Sequence, residues 1–197
     1  SLIGVAGINI NTLGASDIGF SLGPRLNAAG RLASAHHAVD LLLEEDRFQA
    51  GLIAQTLDNI NRDRQEKTRV VQEDSEKLAL LDGLENFLLF AVDENFNSGV
   101  VGLAASRLVE KYYLPSFVGH RGEEFTRASG RSIPEFHITT ALEECKDILE
   151  QYGGHAAAAG FTVSNQNLGK LKERLQKIAK RELVGINLQP SQYIDVE

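Results

Sequence analysis

From Asp46 to about Leu81 the chain reads as one long helix, and that element limits what the rest can form. Asp46 is placed to cap it, and Phe48, Leu52, Ile53, Leu57 and Ile60 give its first turns an apolar stripe at three- and four-residue spacing. Its middle, Asn61 to Arg69, is almost wholly polar. A helix polar all round tends to bridge between bodies, supported by pairs such as Asp63 and Lys67. The competing reading is the solvated face of a single domain.

The flanking segments differ in kind. Residues 1–35 are rich in Gly, Asn and Ala and contain Gly23-Pro24, so they predict short turns and helix ends with no core of their own. A helix is expected from Ala38 to Glu45, with Ser34 as its N-cap. From Glu85 the pattern changes. Strands are expected over 86–92, 115–119, 124–131 and 157–163, and helices over 100–113, 138–152 and 168–183. This alternation predicts an α/β fold, a central mixed sheet flanked by helices and preceded by the long connector helix. The tail, Gln189 to Val196, reads as a strand that opens something further on.

With 43% hydrophobic and 24% charged residues, the 197-residue chain has the composition of a globular protein able to bury a core without staples. Its single cysteine, Cys145, excludes an intrachain disulfide and a thiolate zinc cluster, and fits a reducing, cytoplasmic setting. No window approaches ~18 consecutive apolar residues, so no membrane partner is expected. No methionine occurs anywhere, which suggests an excised segment or processed product. The net charge of −7 is concentrated: residues 40–94 hold 14 acids and 6 bases, and the remainder 13 acids and 14 bases. Pockets outside the acidic stretch can therefore be locally positive and receive an anion.

Three segments carry chemical possibilities. Gly153-Gly154-His155, followed by Ala156 to Gly160, permits close approach of backbone N–H groups to an anion, with His155 placed to donate a proton to an oxygen. A helix C-cap with a packed histidine is the alternative. Arg127, Ser129 and Arg131 share one face of a strand by its period of two, a good phosphate clamp or a solvated arginine face. Gly23-Pro24-Arg25-Leu26-Asn27-Ala28-Ala29-Gly30-Arg31 can lay backbone beside a nucleic-acid strand, or form a tight interdomain turn. His36, His37 and Asp40 diverge on a helix and read as exposed residues rather than metal ligands. Glu143 and Glu144 read as a solvated face. No metal ligand set is expected here.

Together these segments resemble the RecJ branch of the DHH phosphoesterase superfamily. Residues 23–31 resemble its G-P-R-x-N-A-A-G-R segment, and Ser98 to Leu108 is similar to its G-V-x-G-x-x-A-[SG]-R-L segment. Ser129-Gly130-Arg131-Ser132-Ile133 and Gly153 to Phe161 look like its closing pair of motifs. The resemblance implies a 5′→3′ exonuclease on single-stranded DNA that uses Mn²⁺ or Mg²⁺, with single-stranded-DNA-binding protein as a further partner. It implies that residues 1–45 end the DHH catalytic domain, that 46–84 connect, that 85–184 form the DHH-associated substrate-binding domain, and that 185–197 begin a following domain. The Asp-His-His motif is absent and Asn97 stands where relatives often have histidine, so the chain would hold substrate and be inert alone. Carried over residue by residue, Arg131 and Ser129 would hold a phosphate, Arg25, Asn27 and Arg31 would line the strand's path, and His155 would face the scissile phosphate. Within the superfamily, a phosphodiesterase for short oligoribonucleotides or cyclic dinucleotides is the alternative; outside it, a non-catalytic single-strand-binding module.

Overall fold

The computed structural model describes residues 1–191 together with Ile194 and Val196. The chain divides into two compact units, Ser1–Lys67 and Thr68–Glu197.

In the first unit, α1 (Leu2–Val5), α2 (Ala15–Asp17), α3 (Gly23–Leu32) and α4 (His36–Leu43) precede the N-terminal half of α5 (Arg47–Leu80). Asp46 caps α5 by accepting from the Gln49 amide at 2.8 Å, as its position in the sequence suggests. The expected apolar stripe is only half right. Phe48 and Leu52 are 70% and 52% exposed, whereas Ala50, Ala54 and Leu57 are buried. Small residues on the inner face form a core with Ala29 and Leu41, against which Leu26 and Ile53 pack. Gly23 to Arg31, expected among short turns and helix ends, lies in one continuous helix with proline in its first turn, where the missing N–H costs nothing.

The second unit begins with the C-terminal half of α5, whose Glu76 accepts hydrogen bonds from Lys111 at 2.5 Å and Tyr112 at 2.6 Å. It continues as β1 (Leu89–Asp93), α6 (Val101–Tyr112), β2 (Ser116–Arg121), β3 (Phe125–Arg131), α7 (Ile138–Glu143), β4 (Gln151–His155), β5 (Ala158–Ser164) and α8 (Leu168–Leu183). The sheet order is β1-β2-β3-β5-β4, with β1 and β2 parallel and every other pair antiparallel. This is the expected mixed sheet with flanking helices.

One expectation fails here. The helix foreseen over 138–152 stops at Glu143, a 3₁₀ turn follows at Lys146–Ile148, and Gln151–His155 becomes an edge strand. The Glu150 amide donates to Thr162 O at 2.9 Å, so pairing with β5 captures the segment before a helix can continue. The glycines at 153 and 154 therefore lie within a strand, not in a loop after a helix. At the tail, 189–191 carry no regular structure, and the strand expected to reach Val196 runs over residues 192, 193 and 195, which lie outside the described residues.

Strand alternation divides the sheet into two faces. Phe90, Phe117, Ala128, Phe161 and Val163 share a core with Ile138, Leu142, Leu171 and Leu175 of α7 and α8. The other face carries α6, which packs on β2 and β3.

Candidate phosphate-binding face

The α6 face is read directly from the register. Ser116, Arg131, Ala158 and His155 are successive cross-strand neighbours. Two residues along each strand comes the row Val118, Ser129, Gly160, Gly153, and then His120, Arg127, Thr162, Gln151. Side chains alternate between faces, so Arg127, Ser129, Arg131, Gly153 and His155 are brought to one surface. The strand period anticipates the first three; the two on β4 stand in a strand where the sequence suggests a loop.

The start of α6 lies against this surface. A Cβ on Gly102 would stand 3.2 Å from Arg131 Nη2 and 3.5 Å from Ser129 Cβ. The missing side chain thus lets the helix's first turn approach the guanidinium and the hydroxyl. Upstream, Asn97 Oδ1 accepts from the Gly99 amide at 2.9 Å and shapes the entry to α6. A helix N-terminus presents unpaired N–H groups and partial positive charge, which adds to the attraction of a nearby guanidinium for an anion. Arg131 Nη1 also donates to Gly130 O at 2.8 Å, which helps fix the side chain.

The β4–β5 hairpin tip is held from outside. Ser132 N donates to Ala157 O, Ile138 N to Ala156 O, and Thr139 Oγ1 to His155 O at 2.9, 3.1 and 2.8 Å. These bonds fix the backbone of His155, while the residue itself is exposed. The two neighbouring glycines differ. Gly154 sits at φ 147°, and a Cβ there would collide with Ala158 O and Ala159 Cα. A Cβ on Gly153 would meet nothing within 4 Å. The fold therefore requires glycine at 154 but not at 153, and glycine in a strand interior marks close approach of another group.

The carboxylates of α7 are tied to partners. Glu143 accepts from Tyr152 and, at 3.1 Å, from Lys146, and these bonds hold its carboxyl below the usual range. Glu144 is likewise lowered by hydrogen bonds from Arg181 at 2.9 and 2.6 Å. Neither is poised as an acid. His137 Nδ1 accepts from the Thr140 amide at 3.2 Å and caps α7. Cys145 is buried, and burial pushes its thiol up to about 11.

In the first unit, Arg25 Nε donates to Asp58 Oδ1 at 2.8 Å and Nη1 to Ser21 O at 2.7 Å. Arg62 reaches the other oxygen of the same buried carboxylate at 2.8 Å. A buried charge needs such pairing, which gives Arg25 a structural task. Asn27 and Arg31 are exposed on α3. Arg31 lies close enough to Arg64 to help burial lower that guanidinium's proton affinity.

Among the described residues no group of three or more His, Cys, Asp or Glu side chains is placed to hold a metal ion. Arg127, Ser129 and Arg131 present guanidinium and hydroxyl donors of the kind that hydrogen-bond a phosphate. Thr162, Gln151 and Gly160 belong to the same face and escape sequence reasoning, because only the β5 register shows that they join Arg127 and Ser129.

Residues 85–181 match the DHHA1 domain. The chain is 36% identical over 99% of its length to the single-stranded-DNA-specific exonuclease RecJ of Bacillus subtilis, of which it covers 25%. Its fold matches RecJ of Thermus thermophilus, solved in complex with Mg²⁺, with a TM-score of 0.81 at 30% identity; the match covers 91% of this chain and 28% of that one. A structure of exonuclease RecJ bound to manganese matches with a TM-score of 0.80 at 29% identity, covering 95% of this chain and 47% of that one. The chain thus spans about a quarter to a third of the length of its curated relatives. The DHHA1 match, the likeness to RecJ over nearly the whole chain and the shared fold together show that this chain belongs to the RecJ-type branch of the DHH phosphoesterase superfamily.

Proposed function

We propose that this chain is the substrate-gripping part of a 5′→3′ single-stranded-DNA exonuclease, and that Ser129 and Arg131 hold the strand's 5′-terminal phosphate. The observation that carries this reading is the meeting of Ser129, Arg131 and the bare Gly102 at the start of α6. Two hydrogen-bonding side chains and a helix N-terminus meet there, a set of donors that suits a phosphate. His155 shares a cross-strand row with Arg131, and in this reading its ring donates to a phosphate oxygen. Gly153 leaves the β4 floor open to the strand's backbone.

Mg²⁺ or Mn²⁺, found with the solved relatives, would serve the whole protein from residues outside those described here. The residues of this chain are accordingly assigned binding and orientation, and the 197-residue chain alone should not cut DNA. Asn27 and Arg31 on α3 remain candidates for contact with the strand, whereas Arg25 acts through Asp58.

In the full-length protein, Arg131→Ala should weaken binding of a 5′-phosphorylated oligonucleotide by about 30-fold, the loss of a charged hydrogen-bonded contact of ~2 kcal/mol. A 5′-hydroxyl oligonucleotide should lose much less. Equal affinities before and after the change, for both ends, would remove the assignment.

A further inference from the structure

Among the described residues, none of the four polar side chains in the row His120, Arg127, Thr162 and Gln151 makes a hydrogen bond, and the last three lie side by side toward the open edge of the sheet. Arg127, Thr162 and Gln151 are cross-strand neighbours on β3, β5 and β4. Arg127 and Gln151 are exposed and Thr162 is partly so. Among the described residues none of the three makes a side-chain hydrogen bond or ion pair. By contrast, Arg25, Arg62, Arg69, Arg107, Arg174 and Arg181 each reach a carboxylate. The three unused side chains, with Gly160 and Glu150, line an open depression of about 690 Å³.

That volume suits a nucleotide rather than a bare phosphate, since small-molecule sites run from about 300 to 1,000 Å³. The chemistry points the same way. Glu150 on the rim opposes a second phosphate held deep in the depression, but it can accept from a base amino group. Gln151 and Thr162 can each donate and accept, which suits a base edge and a sugar oxygen. The Arg127 guanidinium offers a flat surface on which a base stacks. Gly160, which also lines the depression, adds no side chain to fill it. Arg127 stands four residues before Arg131 on β3, roughly 13 Å along an extended strand. One nucleotide cannot fill both positions.

We propose that this depression is a second nucleotide subsite, which holds the base and sugar of a residue further along the strand whose 5′-phosphate Ser129 and Arg131 grip. The subsite rests on the phosphate-grip reading for its polarity, and it adds a length requirement to it. A mononucleotide engages only the first site, while a strand of several nucleotides engages both.

The test uses the full-length protein and 5′-phosphorylated oligodeoxynucleotides from one to eight nucleotides long, with nuclease-resistant phosphorothioate linkages, read by fluorescence anisotropy or competition. Arg127→Ala and Gln151→Ala should each lower affinity for the longer strands by about tenfold, the effect of losing one base or stacking contact. Affinity for the mononucleotide should stay at the parent value. Thr162→Val, which keeps a β-branched residue in the strand, provides a variant with little risk to folding. A loss that is the same at every length, or absent at every length, would overturn the subsite. The underlying grip fails separately: Arg131→Ala would then leave the mononucleotide's affinity unchanged while the length-dependent losses at Arg127 and Gln151 persisted.

Discussion

The two faces of the sheet share five strands, and on β3 they alternate residue by residue. Toward α7 and α8 every position is filled: Phe90, Phe117 and Phe161 lie 5.4 to 6.3 Å apart, and a Cβ on Gly130 would strike the Phe117 ring and stand 2.5 Å from Ile138. On the α6 side the helix covers β2 and β3 but leaves glycine and alanine bare on β5 and β4. Gly130 is small because the interior is full. Gly153 is small although, among the described residues, nothing lies within 4 Å of where its Cβ would be. The difference separates a residue demanded by packing from one that packing among the described residues does not require.

Substitutions on the two faces should separate accordingly. The largest effect is expected at Phe117, fully buried at the centre of the aromatic trio. Phe117→Ala should cost about 3–5 kcal/mol of stability in chemical denaturation, through lost burial and the cavity left behind. A cost below ~1 kcal/mol would mean that this face is not the core.

The adjacent glycines give a sharper contrast. Gly154→Ala should destabilise by about 1–3 kcal/mol, because both its φ and the Ala158–Ala159 backbone exclude a side chain. Gly153→Ala should leave stability within ~1 kcal/mol of the parent, with alanine favoured over glycine in a strand, and yet weaken oligonucleotide binding. Thermal unfolding and binding measured on the same two proteins check both halves. If Gly153→Ala binds like the parent, the β4 floor is no part of the site.

The smallest effect concerns Cys145. Its thiol is pushed up to about 11, chiefly by burial, so it stays protonated at pH 8. Iodoacetamide at pH 8 should label it only as fast as the protein opens, and denaturant should speed labelling sharply. Rapid labelling of the native protein would show that the α7 region is looser than its packing implies.

The same contrast explains what the sequence makes legible. On β3, polar residues at 127, 129 and 131 interleave with buried Thr126, Ala128 and Gly130, so a period of two separates the two faces of the strand before any neighbour is known. Helix α8 is legible because Leu171, Leu175, Ile178 and Leu183 recur at close to helical spacing and are all buried. The stretch from 144 to 155 misleads because Cys145, Ile148, Leu149 and Tyr152 also fit a helical stripe. A non-local event decides its fate, the pairing of β4 with β5. In the first unit, small residues that read as turn formers instead build a helix, since Ala28 and Ala29 are buried and Ala29 joins Ala50 and Ala54 in the core. The placement of Thr162 and Gln151 beside Arg127 is invisible for the same reason as β4: strand register is not written in local periodicity.

The central claim is that the α6 face grips a phosphate at Ser129 and Arg131. It is tested most directly by a crystal structure of the full-length protein with a nuclease-resistant, 5′-phosphorylated oligodeoxynucleotide. The predicted result places a terminal phosphate oxygen within hydrogen-bonding distance of Ser129 Oγ and of the Arg131 guanidinium, next to Gly102. A strand that binds with its 5′-phosphate elsewhere, and with both side chains touching no phosphate, would contradict it.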